Sequence, residues 1–365
     1  MIRRVAILGA GIGAMHLKGY LALPDRFEVV ALCDLDTGRA EKVLTEAGAA
    51  AEVTDDLDAL LGRADIDVID ICLPPHLHAS VALRALEAGK HVVCEKPLVA
   101  SVAEADALVA AAARTGLCVT PVFQYRYGRE MAKLRALEAA GLTGTPYAAA
   151  LETHWDRGAA YYSVDWRGTW AAERGGCVLG HAIHNHDLLV AVMGPVRSVS
   201  ARLATRVNAI ETEDCAAVSF ELESGALATS SVTLGAARNT SRLRFVFEHL
   251  TVESGDAPYA PAEAGWSFIA RDPARQAEVD AITEGLGAVH AGFPGLFEAM
   301  GDAMDGQGGA EVTLAQGRAS IELVTAIYAS DRAGGAPVAL PLSADHAFYE
   351  GWLPGAPGQA VAVET

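Results

Sequence analysis

Hydrophobic residues in the first third of the chain come in short runs, separated by segments with helical spacing. Val5-Ala-Ile-Leu is a β-rich run, followed by a glycine turn and a helix over 14–23 that Pro24 closes. Phe27-Glu-Val-Val-Ala-Leu-Cys predicts a second strand, and 37–48 an Ala/Glu/Lys helix ended by glycine. Val68-Ile-Asp-Ile-Cys-Leu predicts a third strand, stopped by Pro74-Pro75. A helix over 79–88 ends at Gly89, His91-Val-Val-Cys predicts a fourth strand, and a helix over 102–114 precedes a strand over 117–123. Strands separated by single helices of this length predict right-handed βαβ units and a parallel sheet buried on both faces.

The pattern changes after a helix over 130–140. Segments 146–153, 196–204, 215–223, 226–234 and 243–247 have strand character, and Ser224-Gly225 between two of them is a hairpin signal. A run of strands after a run of βαβ units predicts an α+β domain on a large open, mostly antiparallel sheet. Residues 254–266 read as a loop, 293–304 and 314–329 as helices, and the end as a Pro/Gly-rich tail. No internal repeat or coiled-coil heptad is present. The boundaries predicted are an α/β dinucleotide-binding domain over 1–124 and a substrate-binding and oligomerisation domain over 125–365.

The length of 365 residues suits two domains, and 51% hydrophobic with 20% charged residues is globular rather than disordered. Asp+Glu number 46 against 28 Lys+Arg, and the net charge of -18 repels nucleic acid and anionic membrane. No apolar run approaches the roughly 18–20 residues of a membrane helix. Gly9, Gly11 and Gly13 interrupt the N-terminal apolar stretch, and no signal cleavage site follows. The six cysteines form no C-x-x-C pair and most sit in strand-like runs, predicting reduced core cysteine in a cytoplasm.

Gly9-Ala-Gly-Ile-Gly-Ala14 follows the first strand and opens the first helix. Gly9 permits the tight turn, Gly11 lets backbone approach a pyrophosphate, and Ala14 lets helix and strand pack closely; the helix N-terminus supplies amide donors. Asp34 ends the second strand, where a carboxylate takes both ribose hydroxyls of an adenosine and repels a 2′-phosphate. That favours NAD over NADP, with nearby Arg39 as the counter-signal.

The stretch from Val68 to His78, and then Ala85-Leu-Glu-Ala-Gly-Lys-His-Val-Val-Cys-Glu95-Lys96-Pro97-Leu98, resembles the Gfo/Idh/MocA oxidoreductases, a family named for glucose–fructose oxidoreductase and inositol dehydrogenase. The resemblance is continuous over the first third, returns at Trp166-Arg-Gly-Thr-Trp170 and at Arg174-Gly-Gly-Cys-Val-Leu-Gly-His-Ala-Ile-His-Asn-His-Asp187, and fades after about residue 240. It implies a Rossmann domain, an α/β domain with a large open sheet, an active site between them, and hydride transfer between a carbon-bound hydroxyl and nicotinamide. It also implies that Lys96 hydrogen-bonds the reacting oxygen, that Pro97 fixes the backbone through a cis bond, and that Glu95 anchors the cofactor side. Ile12, Gly13, Leu73, Pro74, His78 and Gln124 join Gly9, Gly11, Asp34, Glu95, Lys96 and Pro97 as implied cofactor contacts. His184 aligns with the catalytic histidine of the family and Asp187 with its last aspartate. One departure stands out: Gly180 occupies the place of the first aspartate of that pattern, often part of the proton relay.

The chemistry agrees with the transfer. Oxidising an alcohol needs a base for the hydroxyl proton, and histidine titrates nearest neutral pH. A lysine at the same oxygen stabilises developing negative charge. An alternative route is that Asp187, three residues after His184 and on one face if this segment is helical, orients it. His181, His184, His186 and Asp187 also resemble metal ligands, but nicotinamide-dependent oxidation with a lysine needs no Lewis acid, so no metal is predicted. His186 reads as a neighbour of the pocket or of an interface. Tyr125-Arg126-Tyr127, His154-Trp155, Tyr161-Tyr162 and Trp166-Arg167 supply rings and guanidinium groups suited to a polyhydroxylated substrate. The predicted substrate set is Lys96, Arg126, His154, Tyr161, Trp166, Arg167, His181 and His184. The open sheet of the second domain would leave one apolar face uncovered, predicting a homodimer or homotetramer.

The resulting reading is an NAD-dependent dehydrogenase acting on a secondary hydroxyl of a sugar, cyclitol or glycoside. The same residues serve a glycosidase that oxidises C3 transiently and eliminates the aglycone. Gly180 is the feature favouring a non-catalytic sugar or nucleotide sensor, whereas Lys96 and His184 argue for catalysis.

Overall fold

The computed structural model describes residues 2–164, 166–263 and 265–355, so the end of the Pro/Gly-rich tail lies outside the described residues. Among the described residues two compact units emerge, one of the chain up to Gln124 with 292–319 and the other of 125–291 with the chain from Ser320 onward.

The first unit is built on a six-stranded parallel sheet of β1 (Arg3–Leu8), β2 (Phe27–Cys33), β3 (Glu52–Thr54), β4 (Val68–Ile71), β5 (His91–Cys94) and β6 (Val119–Pro121). Their order is β3-β2-β1-β4-β5-β6, with Val5 opposite both Val29 and Val68. Chain order reverses beside β1, which puts a crevice at the carboxyl ends of β1 and β4. Helices α1 (Gly13–Leu21), α2 (Thr37–Ala47), α3 (Leu57–Leu61), α4 (His78–Glu87) and α5 (Val102–Thr115) make the connections. Their ends follow local chemistry. Asp36 accepts from Arg39 N at the start of α2 and Gly48 closes it at φ 63°, while Ser101 accepts from Glu104 N at the start of α5. β3 and α3 are too short to show a period in the sequence.

The second unit centres on an eight-stranded sheet of β7 (Pro146–Asp156), β8 (Val196–Ala204), β9 (Cys215–Leu222), β10 (Leu227–Thr233), β11 (Gly235–Phe247), β12 (Leu250–Glu253), β13 (Ser267–Ala270) and β14 (Val338–Ala339). The order is β13-β12-β11-β7-β10-β9-β8-β14, antiparallel except for the parallel pair β7–β10. The Ser224-Gly225 turn joins β9 to β10 as expected, with Gly225 at φ 84°. Helices α6 (Arg129–Ala139), α7 (Trp170–Glu173), α8 (Ile183–Met193) and α9 (Gln276–Gly285) belong to this unit, and α8 packs against β7. Residues alternate between buried and exposed along β9 and β10. The exposed face carries Ala217, Ser219, Leu227, Thr229 and Ser231, small and polar for the most part rather than the apolar surface expected of an uncovered sheet.

The predicted boundary at 124 needs one correction. Residues 292–319, expected in the second domain, cluster with the first unit. Helix α10 (Gly292–Met304) lies against α1, where Phe297 stacks on Tyr20 with ring centroids 3.9 Å apart. Gly19 makes room, because a Cβ there would lie 2.8 Å from the Phe297 ring. Helix α11 (Leu314–Arg332) follows; Arg318 near its start pairs with Asp106 of α5.

Candidate active site

In the first unit, parallel pairing brings four strand ends to one edge: Gly9 after β1, Asp34 after β2, Cys72-Leu73 after β4, and Glu95-Lys96 after β5. Gly9 has φ 100°, and its N–H donates to the Cys33 carbonyl at 2.7 Å. A Cβ on Gly13 would lie 2.9 Å from Ile7 Cγ2, whereas one on Gly11 would meet nothing within 4 Å. The loop is therefore tight where it packs and open where a phosphate would approach. Ile12 is 43% exposed and Leu35, just after Asp34, 93% exposed. The Gln124 carboxamide oxygen is buried without a partner. These features fit a dinucleotide.

Asp34 accepts from Ala10 N at 2.7 Å and Asp36 N at 2.9 Å, and Arg39 Nη2 lies 2.8 and 2.7 Å from its two oxygens. Burial would raise its pKa, but the Ala10 amide and the Arg39 guanidinium outweigh it and hold the carboxyl below its ordinary value. The counter-signal at Arg39 is thus a side chain drawn onto Asp34.

A buried network stands behind Lys96. His16 Nδ1 lies 2.8 and 3.0 Å from the Asp70 oxygens, and Nε2 lies 3.1 Å from Glu95 Oε1. Carboxylates only accept, so both ring nitrogens donate and His16 is an imidazolium. Burial alone would lower its pKa, but Asp70 reverses the effect and holds it well above the ordinary 6.5. The other Glu95 oxygen accepts from Lys96 N at 2.9 Å, and the Lys96–Pro97 bond is cis. Cys72 Sγ sits 3.4 Å from His16 Nδ1, and burial pushes its thiol far up, so it remains a thiol beside the pair. His78 is a correction to the predicted cofactor contacts. It is fully buried, with its ring nitrogens at the carbonyls of Pro97 (2.7 Å) and Leu73 (2.8 Å), and so braces the two loops instead of facing a ligand.

In the second unit, the Gly175-Gly176-Cys177 segment leads into a π-helical turn, Val178–Ala182, which continues as α8. Glu213 anchors the start: it accepts from Gly176 N and Val178 N at 3.1 Å and from the Tyr328 hydroxyl at 2.9 Å. Burial pushes its carboxyl up to about 7. Any Cβ on Gly176 would collide with the Glu213 backbone. This turn presents His181 and His184, 8% and 5% exposed. His184 stacks on Tyr125 at 4.4 Å, while His181 meets the edge of Trp155 at 5.1 Å and the Tyr161 ring at 6.0 Å.

Several predicted roles change here. Asp187 does not orient His184: both its oxygens are taken by Arg126, at 2.7 and 2.6 Å. Arg126, 4% exposed, is correspondingly a buried strut rather than a substrate contact. Burial would lower its pKa, but the adjoining Asp187 carboxylate outweighs that, and the guanidinium stays charged. His154 falls on the wrong face. Side chains alternate along β7, so Trp155 turns inward beside His181, whereas His154 bonds Ser231 on the open face at 3.0 Å. His186 turns into the core, bonded to Ser230 at 3.0 Å and edge-on to Phe220, and burial lowers its pKa to about 4. The four suggested metal ligands thus face different partners. Tyr161, Trp166 and Arg167 do come together: the Arg167 guanidinium lies 4.0 Å from the Tyr161 ring and 4.6 Å from the Trp166 ring, bonds the Tyr161 hydroxyl, and pairs with Glu173 at 3.5 Å. At Gly180 a Cβ would meet nothing within 4 Å, so the missing aspartate is a matter of chemistry and not of space.

Two family models match the chain. One describes an oxidoreductase family with an NAD-binding Rossmann fold and covers residues 3–123; the other is the GFO/IDH/MocA C-terminal domain and covers 131–253. The chain belongs to the Gfo/Idh/MocA oxidoreductases. Among relatives in this family, an uncharacterised oxidoreductase of Schizosaccharomyces pombe is 30% identical over 218 residues, 58% of each chain. The D-glucoside 3-dehydrogenase of Escherichia coli is 32% identical over 209 residues, 56% of this chain and 58% of that one. The WlbA dehydrogenase of Bordetella pertussis, solved with NADH and UDP-GlcNAcA, superposes with a TM-score of 0.80 at 27% identity, covering 93% of this chain and 98% of that one. The matched stretch thus spans well under two thirds of the curated relatives' own length. His16, Asp70, Glu213 and Trp155 are site residues that sequence reasoning did not assign. Only Trp155 carried a local signal, its place beside His154.

Proposed function

We propose that this chain oxidises a secondary hydroxyl of a sugar, cyclitol or glycoside, with NAD as the hydride acceptor. NAD supplies the electrophilic carbon that takes the hydride when bound. The glycine loop would hold its pyrophosphate and Asp34 its ribose, with Arg39 released from the carboxylate. Lys96 would donate to the reacting oxygen and stabilise the negative charge that builds there as the hydroxyl proton is lost. His184 would take the hydroxyl proton. The observation that carries the reading is Lys96 itself, held through its own amide on a buried charged network at the sheet edge that bears the glycine loop.

NADH formation is the direct test, with monosaccharides, inositols and glycosides offered to wild type, Lys96→Met and His184→Asn. Each variant is expected to lose about 10²- to 10⁴-fold in kcat. Glycoside cleavage without net NADH would replace the reading with transient oxidation, and retained activity in Lys96→Met would remove it. A homodimer or homotetramer through the open sheet face completes the proposal, and the mass in solution checks it.

A further inference from the structure

The two guanidinium groups expected in the substrate site, those of Arg126 and Arg167, are both held by carboxylates, Asp187 and Glu173. Arg157, just after β7, has no such partner among the described residues. It lies 4.9 Å from the Trp155 ring, 5.2 Å from Tyr161 and 5.9 Å from Tyr259. Its hydrogen bonds go to neutral acceptors: the Asp156 carbonyl at 2.8 Å, Asn239 Oδ1 at 3.3 Å and the Tyr259 hydroxyl at 2.8 Å. Its Nε is buried without a partner, and no carboxylate of the described residues pairs with it. Trp155 and Tyr161 also contact His181, and the Tyr125 hydroxyl, on the ring stacked against His184, lies close enough to feel the Arg157 charge. Tyr259, 50% exposed, and Trp166, 48% exposed, keep the cluster open to solvent.

We infer that Arg157 is an anion-recognition residue, and that the substrate is a sugar bearing a negative group, a carboxylate or a phosphate ester. A guanidinium among aromatic rings sits at reduced dielectric, where a bound anion gains more than it would in water. Its planar fork suits two oxygens of one acid group, and the rings offer faces to the sugar C–H bonds. The alternative is a strut that ties Asn239 and Tyr259 together. A strut serves neutral and charged sugars alike, whereas an anion site separates them.

The inference rests on the sugar-oxidation reading, so the experiment separates binding from turnover. Binding of glucose, glucuronate and glucose 6-phosphate to the NADH-loaded chain is measured by calorimetry, and NADH formation from the same three is followed separately. At least one anion is expected to bind about 10- to 100-fold more tightly than glucose. Preference for glucuronate assigns a carboxylate, and preference for glucose 6-phosphate a phosphate. Arg157→Gln should abolish the preference and Arg157→Lys retain part of it. Arg244→Gln, which removes an exposed arginine paired with Glu253, should leave it intact. Glucose bound as tightly as both anions, no binding of either anion, or a preference that survives Arg157→Gln would overturn the inference. A charge preference without NADH from any sugar would keep the anion site and sink the oxidation reading. Should Arg157→Gln fail to fold, the wild-type comparison of charged and neutral sugars still decides.

Discussion

Behind Lys96 the first unit buries a histidine between two carboxylates; beside His184 the second buries an arginine against one. Both arrangements fix a backbone segment next to a proposed catalytic group, His16 through Glu95 onto the Lys96 amide and Arg126 through Asp187 onto α8. They differ in whether the cation can be lost. An arginine stays charged at any pH a protein survives, whereas a histidine keeps its charge only while its surroundings hold the proton on. One unit therefore holds its site with a fixed pair and the other with a titratable one.

Breaking the fixed pair from one side should do the most damage. Asp187→Leu leaves a guanidinium buried without its counter-charge and is expected to cost about 3–5 kcal/mol. The double variant Arg126→Leu/Asp187→Leu removes the orphaned charge as well and should be markedly more stable than Asp187→Leu alone. Urea titrations of the full chain check this, with separate probes for the two units because their transitions need not coincide. Equal midpoints for wild type and Asp187→Leu would show that the pair contributes nothing.

The titratable network predicts a smaller loss with a pH signature. The folded-state pKa of His16 lies above its ordinary value, so its stabilisation is complete below about pH 6.5 and fades as pH rises through the folded value. His16→Gln should cost about 2–3 kcal/mol near neutral pH, and the gap from wild type should narrow on the alkaline side. The Asp187→Leu deficit should stay flat over the same range. If the His16→Gln deficit is flat too, His16 does not carry the charge assigned to it.

The same contrast explains what could be read from the chain. Gly9, Gly11, Asp34 and Lys96 sit in short local patterns whose spacing is the chemistry, so the parallel unit and its cofactor edge were legible, as was the turn at Ser224-Gly225. The supporting network was not, because His16 and Asp70 are 54 residues apart and Glu213 and Tyr328 are 115 apart. His154 and Trp155 were read together although strand alternation sends them to opposite faces, and choosing between them requires knowing which face α8 covers. Helix α10 showed its amphipathic period plainly, but period alone does not say which of two cores a helix joins. Arg157 was overlooked because nothing local marks an arginine whose neighbours arrive from 239 and 259.

The smallest expected effect sharpens the comparison at the base itself. With Asp187 committed to Arg126, His184 has lost the orienting aspartate predicted for it, and Gly180 leaves open space one turn earlier. Residues four apart share a helical face, so Gly180→Asp would return a carboxylate to the side of the turn that carries His184. A negative charge there favours the imidazolium. The base limb of the kcat/KM profile should therefore move to higher pH by roughly 0.5–1 unit, with kcat changed only a few-fold because Lys96 and the cofactor edge are untouched. The profile is measured with the sugar that wild type turns over best. An unmoved limb would mean that His184 is not the group titrating in it, and that the fixed pair of the second unit supports the fold without serving the base.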